Sequence, residues 1–352
     1  TEGAEAATNL TAGTDYTVTG YANNTDAALA TAETNAPTVT ITGKGNFTGT
    51  ATGTFTIAQA KLSAVTIAAI GNQTFTGSQI TPEVTVTFNG NDVSTNDYNV
   101  VYGDNINAGE NAGTVTLTSK NKNFVTSTDE DATTKKTATF NIVAATAAIT
   151  ATDQTVTFNG GAQEFTNYTI ANGEAAVTYY SSEEARAAQS GGTTSAPTNA
   201  DTYYVQVTQV NNNYTSDPAD ATFTISPMTL TSEMVTLSAT SFVYFGAAQT
   251  PDVTVADGDN ILTINTNYDY VIKQGETVVA SPMNVGSYSV VVTGKGNYSG
   301  TATQTFTIAA KDLASATVSV DATQTYTYTG SEIKPSVSVS IYLTENAENI
   351  TT

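Results

Sequence analysis

The chain of 352 residues carries a net charge of −21 at pH 7 and contains no cysteine, histidine or tryptophan. Its 11 Lys and Arg residues stand against 32 Asp and Glu residues and form no basic stripe, which argues against nucleic acid or an anionic membrane surface as partners. Without imidazole or thiol groups, the sequence lacks the usual base for a serine or cysteine nucleophile and the usual ligands for zinc and copper. We therefore expect a non-enzyme with no cofactor and with no catalytic, cofactor-binding or metal-binding residues.

The first 57 residues end in the stretch TGKGNFTGTATGTFTI (42–57), and this stretch recurs along the chain. It returns nearly unchanged as TGKGNYSGTATQTFTI (293–308) and in looser form within 118–142 and 208–225. The residues that close the four copies, Phe55, Phe140, Phe223 and Phe306, lie 83 to 85 positions apart. A fixed period of this length predicts an array of small domains. Frequent Gly, Thr and Asn turn signals between β-branched residues predict that these domains are all-β.

Each copy of this stretch has the pattern of a β-hairpin. A strand of alternating apolar and polar residues leads into it, such as TVTIT (38–42) or TVTLT (114–118). The turn glycines Gly43, Gly45, Gly294 and Gly296 are predicted to take the positive φ of a tight reversal. The predicted core-facing set comprises Val39, Ile41, Val115, Leu117, Val205, Val207, Val290 and Val292, joined by the aromatic that follows each turn, Phe47, Phe124, Tyr214 or Tyr298.

These copies divide the chain into three full repeats, at 58–142, 143–225 and 226–308, and two partial ones. Residues 1–57 read as the C-terminal half of a repeat, and residues 309–352 as the N-terminal half of another. In the first full repeat we expect two strands in QTFTGSQITPEVTV (73–86) and a turn at NAG (111–113) before the hairpin. The second full repeat contains the single helix-like patch of the chain, EEARAAQ (183–189), which is long enough for one or two turns.

The hinge sequences FTGSQITPEVTV, YFGAAQTPDVTV and YTGSEIKPSVSV, together with TGKGNYSGTATQTFTI, resemble the bacterial immunoglobulin-like surface repeats called MBG domains, with Big-type repeats as neighbours. The resemblance covers the whole chain, although 143–225 lacks the proline of the hinge. It implies tandem immunoglobulin-like β-sandwich domains in an elongated array, within a large secreted or cell-surface adhesin-like protein of bacteria. That family has no shared catalytic residues.

Two binding chemistries stay open at this point. The segments ADGDN (256–260), YGDN (102–105) and STDED (127–131) offer oxygen ligands for calcium, although ordinary turn chemistry accounts for the same residues. The pairs Tyr179 with Tyr180 and Tyr203 with Tyr204 can stack on sugar rings, but strand alternation is expected to place one member of each pair in the core. Three sequons, beginning at Asn46, Asn213 and Asn297, recur because the hairpin recurs.

The sequence supports three hypotheses on function. The first is a non-catalytic extracellular rod, serving as a stalk or fibre on the bacterial cell surface, without membrane insertion in this segment. The second is an adhesin that binds a glycan or a host protein through the long loops 181–200 and 127–136. The third is head-to-tail assembly, in which the front half at 309–352 of one copy completes the back half at 1–57 of the next.

Overall fold

The computed structural model describes residues 7–125 and 135–343, together with the backbone of residues 350–351. Strands dominate these residues, and the one α-helix, Glu183–Ala187, is a single short turn-and-a-half as the sequence predicts. The predicted all-β fold of tandem immunoglobulin-like sandwiches is confirmed. The chain forms two compact units. The first contains residues 1–149, 170–175 and 208–217, and the second contains 150–169, 176–207 and 218–352.

The first unit contains a three-stranded meander and a sandwich of two further sheets. The meander has strands Tyr16–Ala22, Thr38–Gly43 and Thr50–Thr54, with Thr38–Gly43 in the middle. One sheet of the sandwich is formed by Thr66–Ile67, Val86–Phe88 and Asn91–Asp92, and the other by Gln73–Thr74, Lys135–Val143, Gly109–Ser119 and Tyr98–Tyr102 in that spatial order. Short pieces complete this unit: the 3-10 helix Leu62–Ala64 and the parallel pair Ala145–Thr146 with Tyr214–Thr215.

Alternation along these strands builds the core of the first unit. Side chains at every second position of a strand point to one face, so the valines and leucines of facing sheets meet. One buried cluster joins Val86 of the smaller sheet to Tyr98 and Leu117 of the larger one and contains Leu62, Val65 and Phe124 as well. A second cluster contains Ile80, Val115, Phe140 and Ile142.

The second unit repeats this design. Its largest sheet has the order Thr277–Val278, Tyr268–Gln274, Gly286–Gly294, Thr301–Ala309, Ser241–Val243 and Ile350–Thr351. Beside it lies a three-stranded sheet of Val235–Leu237, Val253–Asp257 and Asn260–Ile261. A third sheet has the order Gln154–Thr157, Ala219–Ser226, Asp201–Gln209 and Ala175–Tyr180, and residues 208–209 and 175 at its margins fall in the first unit.

Smaller elements connect these sheets. They are the pairs Met228–Thr229 with Tyr298–Ser299 and Thr317–Val320 with Val337–Ser340, the short strands Ile149–Ala151 and Tyr168–Ile170, and the 3-10 helices Ser232–Met234 and Leu313–Ser315. Aromatic rings fill the core of the largest sheet. Phe306 stacks on Tyr288 with centroids 5.3 Å apart and meets Phe242 edge-on at 5.7 Å.

For the strand residues, the predicted core-facing pattern is confirmed in 58–142, 143–225 and 226–308. Val115, Leu117, Val205, Val207, Val290 and Val292 are fully buried, as are the closing residues Phe140, Phe223 and Phe306. The turn aromatics Phe124 and Tyr298 are buried as predicted, whereas Tyr214 is only half-buried. The prediction is wrong for residues 1–57, where Val39 and Ile41 are only half-buried and Phe47 is 42% exposed. The boundaries of the repeats, at 57/58, 142/143, 225/226 and 308/309, stay a prediction.

Two further predictions need correction. Gly45 and Gly296 have positive φ, at 66° and 61°, but Gly43 and Gly294 do not. These two are glycines because the hairpin backbone returns so closely that a Cβ on Gly294 would lie 2.6 Å from the Ser299 nitrogen. The predicted turn at NAG (111–113) is also wrong, because these residues lie inside the strand Gly109–Ser119. The preceding turn contains Asn107 and Ala108 instead.

Candidate interaction site: a recurring asparagine clasp

The tip of each complete hairpin is held by the segment that opens its own repeat. The backbone N–H of Ala60 donates to the Asn123 carbonyl at 3.0 Å, and Val125 donates back to Ala60 at 2.9 Å. The Asn213 and Asn297 carbonyls accept equivalent bonds from Ala145 at 3.0 Å and Met228 at 2.9 Å. This parallel pairing fixes the backbone of the asparagine before the turn aromatic, so its side chain points in one defined direction at all three tips.

The Asn297 side chain forms hydrogen bonds with a turn that lies nearly a hundred residues earlier in the chain. Its Oδ1 accepts a hydrogen bond from the Ala200 backbone N–H at 2.7 Å, and its Nδ2 donates to Oδ1 of Asn199 at 3.2 Å. One amide group therefore satisfies a backbone donor and a side-chain acceptor of two consecutive residues. We call this two-bond contact the clasp.

Asn213 makes the same clasp within the first unit. Its Oδ1 accepts from the Ala108 N–H at 2.7 Å, and its Nδ2 donates to Oδ1 of Asn107 at 3.1 Å. Under the predicted boundaries, the hairpin of one repeat thus holds the turn of the repeat before it.

Asn123 makes the third clasp, with an aspartate in place of the partner asparagine. Its Oδ1 accepts from the Ala27 N–H at 2.9 Å, and its Nδ2 donates to Oδ1 of Asp26 at 3.0 Å. The same Nδ2 lies 3.1 Å from Oδ1 of Asp97. A cavity of about 500 Å³ opens beside this clasp, and Asp92, Asp26 and Asp97 are among its lining residues.

The ladder register shows that the clasped turns are equivalent. The residues that follow Ala27, Ala108 and Ala200 pair with Ile57, Ile142 and Ile225, the last core residue of each closing strand. Gly286 pairs with Ile308 in the same way, so Val285 is the fourth residue of this set and Asn284 is the counterpart of Asn199.

Aromatic contacts accompany two of the clasps. The Tyr214 ring lies next to Asn213 in sequence and meets the Phe75 ring edge-on, with centroids 5.3 Å apart. Tyr298, next to Asn297, meets Phe158 in the same way at 5.6 Å. Phe75 and Phe158 are equivalent, because their backbone N–H groups bond the end of the closing strand at Val143 and Ser226. At each of these two sites, the hydrogen bonds of the clasp are therefore accompanied by an apolar contact between two rings.

The electrostatics around these sites fit a structural role. Burial raises the pKa of the Tyr298 phenol above its ordinary value, and the hydrogen bond it donates to the Asp257 carboxylate raises that pKa further. Burial likewise raises the pKa of Tyr98, Tyr179, Tyr203 and Tyr268. These phenols are held protonated, and neither acid–base pair nor activated nucleophile arises from them.

The oxygen-rich segments are engaged in turn chemistry where the structure describes them. Asn105 of YGDN donates to the Ile80 carbonyl at 3.1 Å and accepts from the Thr114 N–H at 2.7 Å. ADGDN forms a tight turn in which Asp257 pairs with Asn260 and Gly258 has a φ of 57°. Within 7–125 and 135–343, no group of three or more acidic side chains is placed to hold a metal ion. The STDED segment lies outside the described residues.

Neither tyrosine pair has the expected one buried and one exposed member, since Tyr203 and Tyr204 are both half-buried. Tyr179 and Tyr180 are both buried, so neither ring of this pair presents a face for a sugar. The loop 181–200 folds over the sheet through the helix Glu183–Ala187, where Ser182 caps the Ala185 N–H at 3.1 Å. Arg186 lies 3.6 Å from Asp220, and its guanidinium stands over the Tyr204 ring. The other predicted contact loop, 127–136, lies outside the described residues except for its last two positions.

Sequence reasoning missed the clasp. The signal was present in the repeated sequon, since Asn213 and Asn297 occupy the same position in the hairpin, but it read as a by-product of the repeat. Asn123 belongs to no sequon and was passed over. The partner turns gave no signal, because Asp26, Asn107 and Asn199 lie in segments of unequal length and composition.

Comparison with known proteins agrees with the repeat architecture. Residues 147–229 and 234–313 each match the family model described as MBG domain, so two tandem stretches of the chain are similar to that family. Among curated proteins, none matches this chain. None of the helices in the described part of the chain has the length and hydropathy needed to cross a membrane.

Solved structures give weaker likenesses. A protocadherin gammaB7 EC3-6 cis-dimer structure is 12% identical over 84% of this chain and 90% of that chain, with a TM-score of 0.21. Sidekick-1 immunoglobulin domains 1–5 are 10% identical over 80% and 68%, with a TM-score of 0.25. The human desmocollin-1 ectodomain is 10% identical over 78% and 64%, with a TM-score of 0.18. Scores this low carry no argument on function, and the fold class rests on the sheets described above.

Proposed function

Taking the two tandem matches to the MBG domain family as the premise, we propose that this chain is a non-catalytic extracellular rod, a stalk or fibre segment of a bacterial surface protein. MBG domains and β-sandwich repeats of this kind are typically extracellular and non-catalytic modules. The high negative charge of −21 suits such a role, since it keeps neighbouring rods apart in solution.

The threefold clasp carries the proposal. A chain of globular modules joined by short linkers bends freely unless its junctions carry contacts. Here Asn123, Asn213 and Asn297 each place two hydrogen bonds and a fixed linker backbone at the same structural position. Because the contact recurs once per hairpin, it suits a role in stiffening the array better than a role in binding one ligand.

The adhesin hypothesis keeps one supporting observation, the ordered loop 181–200. Its helix is capped by Ser182 and held through Arg186, while Glu183 and Glu184 stay exposed at its outer side. A preorganised acidic loop of this kind can contact a basic partner surface with little loss of conformational entropy. Replacing 183–196 by a short turn, which keeps the clasp residues Asn199 and Ala200, separates the two functions, because an adhesin then loses its ligand and a stalk keeps its stiffness.

Small-angle X-ray scattering on the purified chain tests the rod directly. We expect an extended, stiff particle for the natural sequence and a flexible one for the double variant Asn213→Leu with Asn297→Leu, because leucine keeps the side-chain volume but makes neither clasp bond. The matched control is Asn212→Leu, which changes the exposed asparagine beside Asn213 at the same hairpin tip, where the side chain takes no part in the clasp. Equal stiffness in the double variant and the control would contradict the proposal.

Surface display needs a second experiment. Protease treatment of intact producing cells should remove the chain while a cytoplasmic marker survives. Survival of the chain under conditions that digest it after lysis would place it inside the cell and end the stalk proposal.

A further inference from the structure

The fourth clasp position has no occupant among the described residues. Val285 is equivalent to Ala27, Ala108 and Ala200, but its side chain is 51% exposed and nothing in the described part of the chain accepts a hydrogen bond from its N–H. The Asn284 side chain, the counterpart of Asn199, is likewise unpaired there. The turn geometry matches the clasped turns, since the Tyr288 hydroxyl bonds the Asn284 carbonyl at 2.7 Å as Tyr203 bonds Asn199 at 3.0 Å.

An exposed apolar face lies further along the chain, on the strand pair within residues 317–340. The strands Thr317–Val320 and Val337–Ser340 pair Val318 with Val339 and Val320 with Val337, which places four valines on one face. These valines are 62%, 55%, 47% and 57% exposed, in that order. Their neighbour Leu313 is 65% exposed, although its equivalent Leu62 is fully buried.

The buried cluster of the first unit shows what covers such a face. In that cluster Val86 and Leu62, the equivalents of Val339 and Leu313, pack with Tyr98, Leu117 and Phe124. Tyr98 lies on the strand Tyr98–Tyr102, and Leu117 and Phe124 lie on the hairpin that follows this strand. A face of the 317–340 type is therefore built to receive a hairpin with an asparagine and an aromatic at its tip.

Residues 16–57 contain a hairpin of that type. Tyr16, Ile41 and Phe47 are the equivalents of Tyr98, Leu117 and Phe124 by sequence and ladder position. Phe47 is 42% exposed, whereas Phe124 is buried. Asn46 stands where Asn123, Asn213 and Asn297 make their clasps, and its side chain has no partner in the described part of the chain.

We propose that the Asn284–Val285 turn and the valine face of 317–340 form one docking surface for residues 16–57 of a second copy of this chain. On docking, Asn46 makes the fourth clasp with Val285 and Asn284, and Phe47 and Ile41 cover Val339 and Leu313. The contact is heterologous, because the two surfaces differ, so it propagates into a head-to-tail filament. This inference rests on the proposed rod function and gives it a means of elongation.

Light scattering on a sizing column, run across a wide range of protein concentration, tests the docking surface with the full chain. The natural sequence should form a ladder of oligomers that grows with concentration. Val339→Asp and Phe47→Asp should each be monomeric, because each places a carboxylate in the contact, and both residues are already exposed so folding is preserved. Val278→Asp, at an equally exposed valine in the turn strand Thr277–Val278, should assemble like the natural chain.

Mixing the two monomeric variants gives the sharpest outcome. The Val339→Asp chain keeps a working hairpin and the Phe47→Asp chain keeps a working docking surface, so an equimolar mixture should stop at the dimer. A natural chain that stays monomeric throughout, oligomers that survive Val339→Asp, or a mixture that forms no dimer would each overturn the docking surface. The Val339→Asp monomer serves for scattering as well. If the natural chain never assembles while the Val339→Asp monomer is stiff, only the docking inference is refuted, whereas a flexible Val339→Asp monomer refutes the rod.

Discussion

Two β-sheet fragments of this chain have almost the same sequence and opposite environments. PEVTVTF (82–88) pairs with Thr66–Ile67, and PSVSVSI (335–341) pairs with Thr317–Val320, in the same antiparallel register. Yet Val86 is 2% exposed and Val339 is 55% exposed. Local sequence is sufficient to form both strand pairs, whereas the burial of Val86 depends on Tyr98, Leu117 and Phe124, which lie 12 to 38 residues further along the chain.

A buried charge gives the largest expected contrast. Val86→Asp should lower the free energy of unfolding by about 4 kcal/mol or more, because an unpaired carboxylate enters an apolar cluster. Val339→Asp should change it by less than about 0.5 kcal/mol at concentrations where the chain is monomeric, because the side chain remains in water. Urea unfolding monitored by tyrosine fluorescence measures both, and equal losses would show that the two fragments are not in different environments.

Replacing the hairpin glycines by alanine should destabilise the hairpins at 38–54 and 286–309 to a similar extent, in contrast to the two aspartate substitutions. A Cβ on Gly294 meets the hairpin backbone at 2.6 Å, and a Cβ on Gly43 meets it at 2.8 Å, so both clashes are local. Gly294→Ala and Gly43→Ala should each destabilise their hairpin by about 1–3 kcal/mol. Backbone amide chemical shifts report each hairpin separately, and Gly71→Ala, where nothing lies within 4 Å, is the control. A tolerated Gly43→Ala would mean that the hairpin at 38–54 does not have this geometry.

Loss of a clasp should cost less. Asn297→Leu leaves the Ala200 N–H and the Asn199 side chain without their partner, which should destabilise the second unit by about 1–2 kcal/mol. Asn46→Leu should have an effect within about 0.5 kcal/mol in the monomer. Chemical denaturation of the two variants beside the natural chain measures the difference, and matching midpoints would remove the energetic basis of the clasp.

The smallest effect is expected from a surface ion pair. Lys295 lies 2.9 Å from Asp269, and both side chains are about half exposed, at 43% and 48%. Lys295→Met should cost about 0.2–1 kcal/mol, and salt should diminish the cost. The equivalent Lys44 donates to the Gly13 carbonyl at 2.7 Å instead, so Lys44→Met should be less sensitive to salt. Thermal unfolding at low and high ionic strength distinguishes the two, and an identical salt response would contradict the assignment.

Most of the fold was predictable because the signals are local. Alternating valines and the helix-like patch at 183–189 are patterns of ten or fewer consecutive residues, and both form as expected, as do the positive-φ turns at Gly45 and Gly296. The resemblance to MBG domains could also be recognised from the sequence, because TGKGNYSGTATQTFTI is one continuous segment. Residue-level burial was predictable only where a second sheet covers the hairpin, as it covers Leu117, so Val39 and Ile41 in the three-stranded meander were misjudged.

The clasp was out of reach of sequence reasoning because it is non-local. Asn297 and Ala200 are separated by 97 positions, and no residue type at Ala27, Ala108 or Ala200 marks them as donors, since every residue except proline has a backbone N–H. The sequence NAG also occurs twice, at 107–109 and four residues later at 111–113, and this repetition concealed the equivalence because it offered two alignments.

Residue-resolved hydrogen exchange of four backbone amides is the most direct test of the central claim that the clasp recurs. At a concentration where the chain is monomeric, the amides of Ala27, Ala108 and Ala200 should be protected, because each donates to a clasp asparagine, and the amide of Val285 should exchange at the rate of an exposed turn. Asn213→Leu should release Ala108 alone. Fast exchange at all four amides, or equal protection at Val285, would contradict the account.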